Sequence, residues 1–207
     1  MNKGKFITLE GGEGVGKSTN LSYIKQLLEN AGKKVVTTRE PGGTPFAEKI
    51  RQLLLENADE AISEKAELLL MFAARAQHIN QVIEPALAEG RWVLCDRFTD
   101  ATYAYQGGGR SMDTSMIEWL EDKVQETLRP DLTLLLDAPV TVGMGRVDKR
   151  GTLDRFEQEK LSFFTKVRQT YLERAQQLPE IIKIINADQT LDKVQQEIRL
   201  SLQDILN

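Results

Sequence analysis

Residues Gly11-Gly12-Glu13-Gly14-Val15-Gly16-Lys17-Ser18 fit the pattern GxxxxGK[ST], with an apolar run before them and a helical pattern after. Each position has a physical reason. Glycines let the backbone curl so that its N–H groups converge on a phosphate. A helix beginning at Lys17 presents its positive N-terminal end to the same anion. The Lys17 ammonium can reach terminal phosphates, and the Ser18 hydroxyl can ligate magnesium. With glycine at about 7% of residues in average chains, a chance match in a chain this long is on the order of one percent. The alternative is an ordinary glycine-rich turn, and the strand-to-helix setting speaks against it.

The rest of the chain repeats that setting. Short apolar runs at Phe6–Leu9, Lys34–Thr38, Arg91–Asp96, Asp131–Leu136 and Ile181–Ile185 predict five strands. Between them, helical spacing predicts helices near 17–31, 46–55, 64–88, 99–105, 114–128, 141–149 and 157–176, with a closing helix over 191–205. Leu21, Ile24, Leu27 and Leu28 mark the buried face of the first, and Gly32 ends it. Pro85 should kink the last turn of the 64–88 helix. Apolar strands separated by helices predict an α/β fold, a parallel sheet covered on both faces. Ligands of such sheets lie at the carboxyl ends of the strands. This directs attention to Gly11, Arg39, Asp96, Asp137 and Asn186 and the residues after each.

Charge and rare residues narrow the chemistry. The 27 basic and 31 acidic residues leave a net charge of −4, so no global basic field favours nucleic acid or membrane. A single cysteine, Cys95, excludes an internal disulfide or a multi-cysteine metal cage. A single histidine, His78, argues against His-rich zinc sites and Ser-His-Asp catalysis. No apolar run approaches the roughly 20 residues that span a bilayer, and MNKGKFITLEGG has no secretory apolar core. A cytoplasmic enzyme or binding protein is the expectation, built as one domain over residues 1–207.

Secondary candidates follow. Asp96 ends an apolar strand, as a magnesium-side carboxylate would, and Arg97 follows it; Asp137 has the same form and is its rival. Phe72 and Arg75 share a helix face, suiting a base-stacking plane and a guanidinium fork, or else core packing and an ion pair. Gly107-Gly108-Gly109-Arg110 reads as a flexible loop. Lys149–Arg155 is basic and contains Gly151, and reads as a solvated run or as a lid over a nucleotide. Cys95 reads as a small buried hydrophobe, and His78 as structural or exposed.

Taken in order, these segments resemble the bacterial thymidylate kinases over nearly the whole chain. The resemblance rests on the 11–18 loop, Thr38-Arg39-Glu40-Pro41-Gly42-Gly43-Thr44, Leu70-Met71-Phe72-Ala73-Ala74-Arg75 and Asp96-Arg97-Phe98. It also rests on Ala104-Tyr105-Gln106-Gly107-Gly108-Gly109-Arg110 and Arg150-Gly151-Thr152-Leu153-Asp154-Arg155-Phe156-Glu157. It implies a three-layer sandwich with strand order 2-3-1-4-5, a lid near 149–157, a homodimer, and transfer of phosphate from ATP to dTMP with Mg2+. By the same resemblance ATP would meet Gly11, Gly12, Glu13, Gly14, Val15, Gly16, Lys17, Ser18 and Thr19, with Arg146 stacked on adenine. Ser18 and Asp96 would hold the metal. The acceptor dTMP would meet Glu13 near the sugar, Phe72 stacked on thymine, Arg75 on the base, Arg97 on the phosphate and Tyr105 under the deoxyribose. Arg39, Thr102 and Gln106 complete that set. Lys17, Arg97, Arg150 and Arg155 would carry the catalytic charge, with Arg155 favoured between the two lid arginines, and Pro41 matches a proline that is cis in relatives. Phe98 departs from the Tyr or His common at that place. Residues 12–15 lack a basic group. Two rivals remain: a P-loop kinase for another nucleotide or small acceptor, and a GTPase-type switch. The switch would need a guanine-reading NKxD element, which this sequence lacks.

Overall fold

The structure is a computed structural model that describes residues 3–57, 60–147 and 154–206. Its strands are β1 (Phe6–Gly11), β2 (Val35–Arg39), β3 (Trp92–Asp96), β4 (Leu132–Asp137) and β5 (Ile182–Asn186). All four pairings are parallel, and the order is β2-β3-β1-β4-β5, as the resemblance implied. The helices are α1 (Lys17–Asn30), α2 (Pro45–Leu55), α3 (Glu64–His78), α4 (Glu84–Ala88), α5 (Thr99–Thr102), α6 (Thr114–Gln125), α7 (Val140–Val147), α8 (Leu161–Gln177) and α9 (Leu191–Leu206).

Strand alternation sorts the side chains into two cores. Ile7, Leu9, Leu94, Leu134 and Leu136 face α1 and α9, packing on Ile24, Leu28, Val194, Ile198 and Leu202. Phe6, Val93 and Cys95 face the opposite way, onto Ile83, Leu87 and Phe98. Leu135 and Ile182 on that second face meet Phe164, Val167 and Tyr171 of α8. Helices on both faces make the central strands mostly apolar, with buried Thr8, Glu10 and Thr133 as exceptions, which is why those strands were plain in the sequence.

Two stretches depart from expectation. The predicted 64–88 helix is interrupted by a π-helical turn, Ile79–Ile83, immediately before α4. Pro85 has no N–H to give and its ring crowds the carbonyl four residues earlier; the wider turn relieves both without a break. The second departure corrects the flexible-loop reading of Gly107–Gly109. Tyr103–Gly109 forms a π-helical segment continuing α5, and α8 packs directly on it. A Cβ on Gly108 would lie 2.1 Å from Thr170 Oγ1, so glycine here serves close approach and not mobility.

Candidate active site

The carboxyl ends of β1, β2 and β3 open into a cavity of about 250 Å3. From the β1 end, Glu13, Gly14, Val15, Gly16, Lys17 and Ser18 line one wall. Gly14 has φ +68°, and a Cβ there would fall 2.0 Å from the Gly143 carbonyl oxygen, so the loop can adopt this curve only with glycine. The first turn of α1 has neither a side-chain cap nor an acidic residue. Its free N–H groups are thus available to an anion. Lys17 Nζ donates to the carbonyls of Gly11 at 3.0 Å and Gly12 at 2.7 Å. Burial, reinforced by nearby Arg97, lowers its pKa to about 8. Arriving phosphates would supply the counter-charge this ammonium lacks.

Asp96 and Arg97 enter from the end of β3. Asp96 Oδ1 is buried without a hydrogen-bond partner among the described residues. Asp96 and Ser18 both line the cavity, and a carboxylate, a hydroxyl and phosphate oxygens are a donor set suited to magnesium. The rival Asp137 lies outside this cavity and is held by a two-pronged pair with Arg168, at 2.7 and 2.8 Å. Arg97 adopts φ +66°, unusual for a residue with a side chain. Its guanidinium donates to Glu13 Oε1 at 2.6 Å and to the Gly11 carbonyl at 3.1 Å, and lies 4.8 Å over the Tyr105 ring. Burial opposes its charge, but Glu13 and the neighbouring acidic groups outweigh that and raise its pKa. Tyr105 also donates to Glu13 Oε1, at 2.6 Å.

Behind Arg97 lies a carboxylate absent from the sequence reading. Glu10 is fully buried and accepts from Phe98 N at 2.6 Å and from the Tyr171 hydroxyl at 2.8 Å. Burial first, then the Asp100 carboxylate, raises its pKa from 4.5 to about 7. Folded Glu10 keeps its proton where the unfolded chain has released it. Stability from this group is therefore complete below pH 4.5 and falls as pH rises to about 7. Glu10→Gln should flatten that slope, so its unfolding free energy relative to wild type should improve steadily from pH 5 to pH 8 in urea titrations. A difference that does not change with pH would refute this.

The opposite wall comes from β2, α2 and α3. The Glu40–Pro41 bond is cis, and both residues line the cavity. Arg75 lines it too, with Nη1 buried and unpartnered among the described residues. Thr102 accepts from Arg75 Nη2 at 2.9 Å, and Gln106 donates to Glu67 at 2.8 Å; both also face the cavity.

Other expected residues stand elsewhere. Phe72 corrects the base-stacking assignment: its ring is only 2% exposed, packs with Leu68, Tyr103, Ile117 and Leu120, and lies outside the cavity. Phe72 does stack, but 4.7 Å beneath the Arg75 guanidinium. Met71 lines the cavity in its place. Arg155 lies outside the lining as well. Its Nη2 donates to Glu67 at 2.6 Å, its Nε to the Leu54 carbonyl at 2.8 Å, and its guanidinium covers Phe156 at 4.4 Å. Arg39 is exposed and paired with Glu48 at 2.9 Å. Thr19 is exposed on α1. Arg146 reaches the Gly14 carbonyl at 3.3 Å from outside the cavity. Arg150 lies outside the described residues.

The chain matches the family model described as Thymidylate kinase over residues 9–198. The chain belongs to the thymidylate kinase family. The thymidylate kinase of Ectopseudomonas mendocina is 59% identical over 203 residues, 98% of this chain and 97% of that one. That of Chromohalobacter salexigens is 58% identical over 208 residues, covering 100% and 98%. The crystal structure of thymidylate kinase from Ehrlichia chaffeensis superposes with TM-score 0.78 at 33% identity, covering 97% and 99%. As a thymidylate kinase family member, the chain also carries cavity residues that the motifs did not single out. Arg51, on α2, lines the wall and donates to the Pro41 carbonyl at 3.0 Å. Burial, then Arg39, lowers its pKa. Its only mark in the sequence is a basic residue on the helix that follows the Pro-Gly-Gly loop. Asp154, Phe156 and Glu157 close the rim.

Proposed function

We propose that the chain transfers the terminal phosphoryl group of ATP to dTMP, giving ADP and dTDP. One observation carries this reading: the Lys17 loop and the unpartnered Nη1 of Arg75 line a single cavity, with Arg97 and Arg51 also lining it. The loop suits a nucleoside triphosphate, and Arg97 with Arg51 suits the acceptor phosphate. Arg75 Nη1 suits a base carbonyl, since a guanidinium donates and has no acceptor for the exocyclic amine of cytosine. Met71, four residues before Arg75 on α3, offers the base a polarizable thioether in place of an aromatic plane. Tyr105, fixed by Glu13, packs against the sugar where a 2′-hydroxyl would sit. Ser18 and Asp96 would hold a magnesium ion, whose chemistry is to offset charge on the transferring phosphates. Positioning and charge neutralisation carry the reaction, and no general base is assigned.

Steady-state kinetics with dTMP, dUMP, UMP and dCMP test this. Burying an unpaired 2′-hydroxyl costs roughly 1–3 kcal/mol, so UMP should lose about tenfold to a hundredfold in kcat/KM. Equal or better kcat/KM for UMP or dCMP would assign the site to another acceptor.

The same proposal includes a homodimer in the cytoplasm. Phe46 and Leu53 on α2 and Leu69 on α3 are each at least half exposed, on helices that pack together. Ala73 and Ala76 extend the apolar stripe of α3. Such a face is what a second copy would cover. Leu69→Glu should halve the mass measured by light scattering at micromolar concentration. A wild-type monomer would remove the dimer from the proposal. Among the described residues, no helix is long and apolar enough to cross a membrane.

A further inference from the structure

The cavity wall at Arg75 is held from behind by a buried polar chain. Arg75 Nε donates to Glu40 Oε2 at 2.7 Å. Its Nη2 donates to Thr102 Oγ1 at 2.9 Å and to the Phe98 carbonyl at 3.2 Å. The Phe72 and Phe98 rings stand 4.7 and 5.0 Å from the guanidinium carbon. Three of the five N–H donors are thereby committed, and only Nη1 is left. Glu40, in turn, sits against His78. Nδ1 of His78 lies 2.9 Å from Glu40 Oε1, and Nε2 lies 2.7 Å from Thr38 Oγ1. A carboxylate can only accept, so Nδ1 carries the proton in this pair. Gly43 rests on the other side of the imidazole: a Cβ there would meet Nε2 at 2.4 Å. His78 is fully buried and does not line the cavity.

We propose that His78 is a positioning residue for the acceptor base. It holds the Glu40 carboxylate, which fixes the plane of the Arg75 fork so that Nη1 alone meets the base. The inference rests on the reading of this wall as the base site. His78 and Arg75 stand three apart on α3, and Glu40 bridges them. A rotated Glu40 would release Arg75 Nε, and the fork could then turn about its remaining contacts.

The test compares wild type, His78→Leu and His78→Asn, assayed with the monophosphate that wild type uses best. A loss of dTMP preference in wild type would thus count against the substrate reading and leave this comparison intact. His78→Leu should raise the acceptor KM about tenfold, the weight of a hydrogen bond to a charged group, with kcat and the KM for ATP within about twofold. His78→Asn, which keeps a donor near Nδ1, should restore most of the loss. Because the chain has one histidine, its imidazole 15N resonances are unambiguous. They should move when the acceptor binds in the absence of ATP, although the ring does not touch the cavity. An unchanged acceptor KM in His78→Leu, or an equal rise in both KM values, would make the residue merely structural. If His78→Leu does not fold, an acceptor KM for His78→Asn more than tenfold above wild type, or imidazole resonances that ignore the acceptor, would overturn the proposal.

Discussion

Lys17→Ala should lose about a thousandfold in kcat while the chain stays folded, the scale expected when a preorganised charge-stabilising donor is removed from a water-poor site. Nζ is poised by two loop carbonyls, and burial has already lowered its pKa to about 8. Among the described residues its side-chain hydrogen bonds are to those carbonyls, and it forms no ion pair there that removal would break. Residues 12–15 supply no second cation. A coupled ADP-release assay alongside circular dichroism checks both halves. Near wild-type turnover would end the assignment of residues 11–18 as the triphosphate site.

The second large effect separates Arg150 from Arg155. A charge-stabilising arginine beside a transferring phosphoryl group is worth ~10³–10⁵ in rate. The resemblance favoured Arg155 for this task, and its observed contacts argue for a different one. It is bound to Glu67 and to the Leu54 carbonyl, over Phe156. Glu67 is itself buried and also serves Gln106 and Arg110, so Arg155 ties residues 154–157 to α2 and α3. Arg150→Ala is therefore expected to lower kcat by more than about a hundredfold with little change in the KM for dTMP. Arg155→Ala should lose about 2 kcal/mol of stability, seen as a lower Tm, and keep kcat within about tenfold. A larger kcat loss in Arg155→Ala than in Arg150→Ala would return the catalytic task to Arg155.

How far the sequence could be read depended on whether local chemistry or packing set each feature. Strands buried on both faces announce themselves as apolar runs, and the 11–18 loop carries its own glycine code. Neither π-helical segment could be read that way. Ile79–Ile83 exists because Pro85 must be accommodated, which leaves no trace in side-chain spacing. Gly107–Gly109 looks like a loop because glycine usually punctuates chains; only the nearness of Thr170 and Phe163 on α8 shows why it is helical. The base wall failed by one residue. Phe72 and Arg75 do touch, as three-residue spacing promised, but the cavity lies on the side of α3 that Met71 shares with Arg75. A helix turns about 100° per residue, so an aromatic next to the right position points elsewhere. Arg51 and Glu10 belong to no pattern at all, because their importance comes from what the fold brings beside them.

The left-handed backbone at Arg97 puts two demands on one position in conflict. Outside glycine this conformation costs roughly 1–2 kcal/mol. A glycine would relax the turn, and in doing so would delete the guanidinium that joins Glu13, Gly11 and Tyr105. Losing that guanidinium would leave the part-buried Glu13 carboxylate without this cation, a cost at least as large as the strain relieved, so selection for heat resistance alone would keep the arginine. The strain at position 97 is thus tolerated because the same residue closes an ion pair between the ends of β1 and β3, so the turn and the pair stand or fall together.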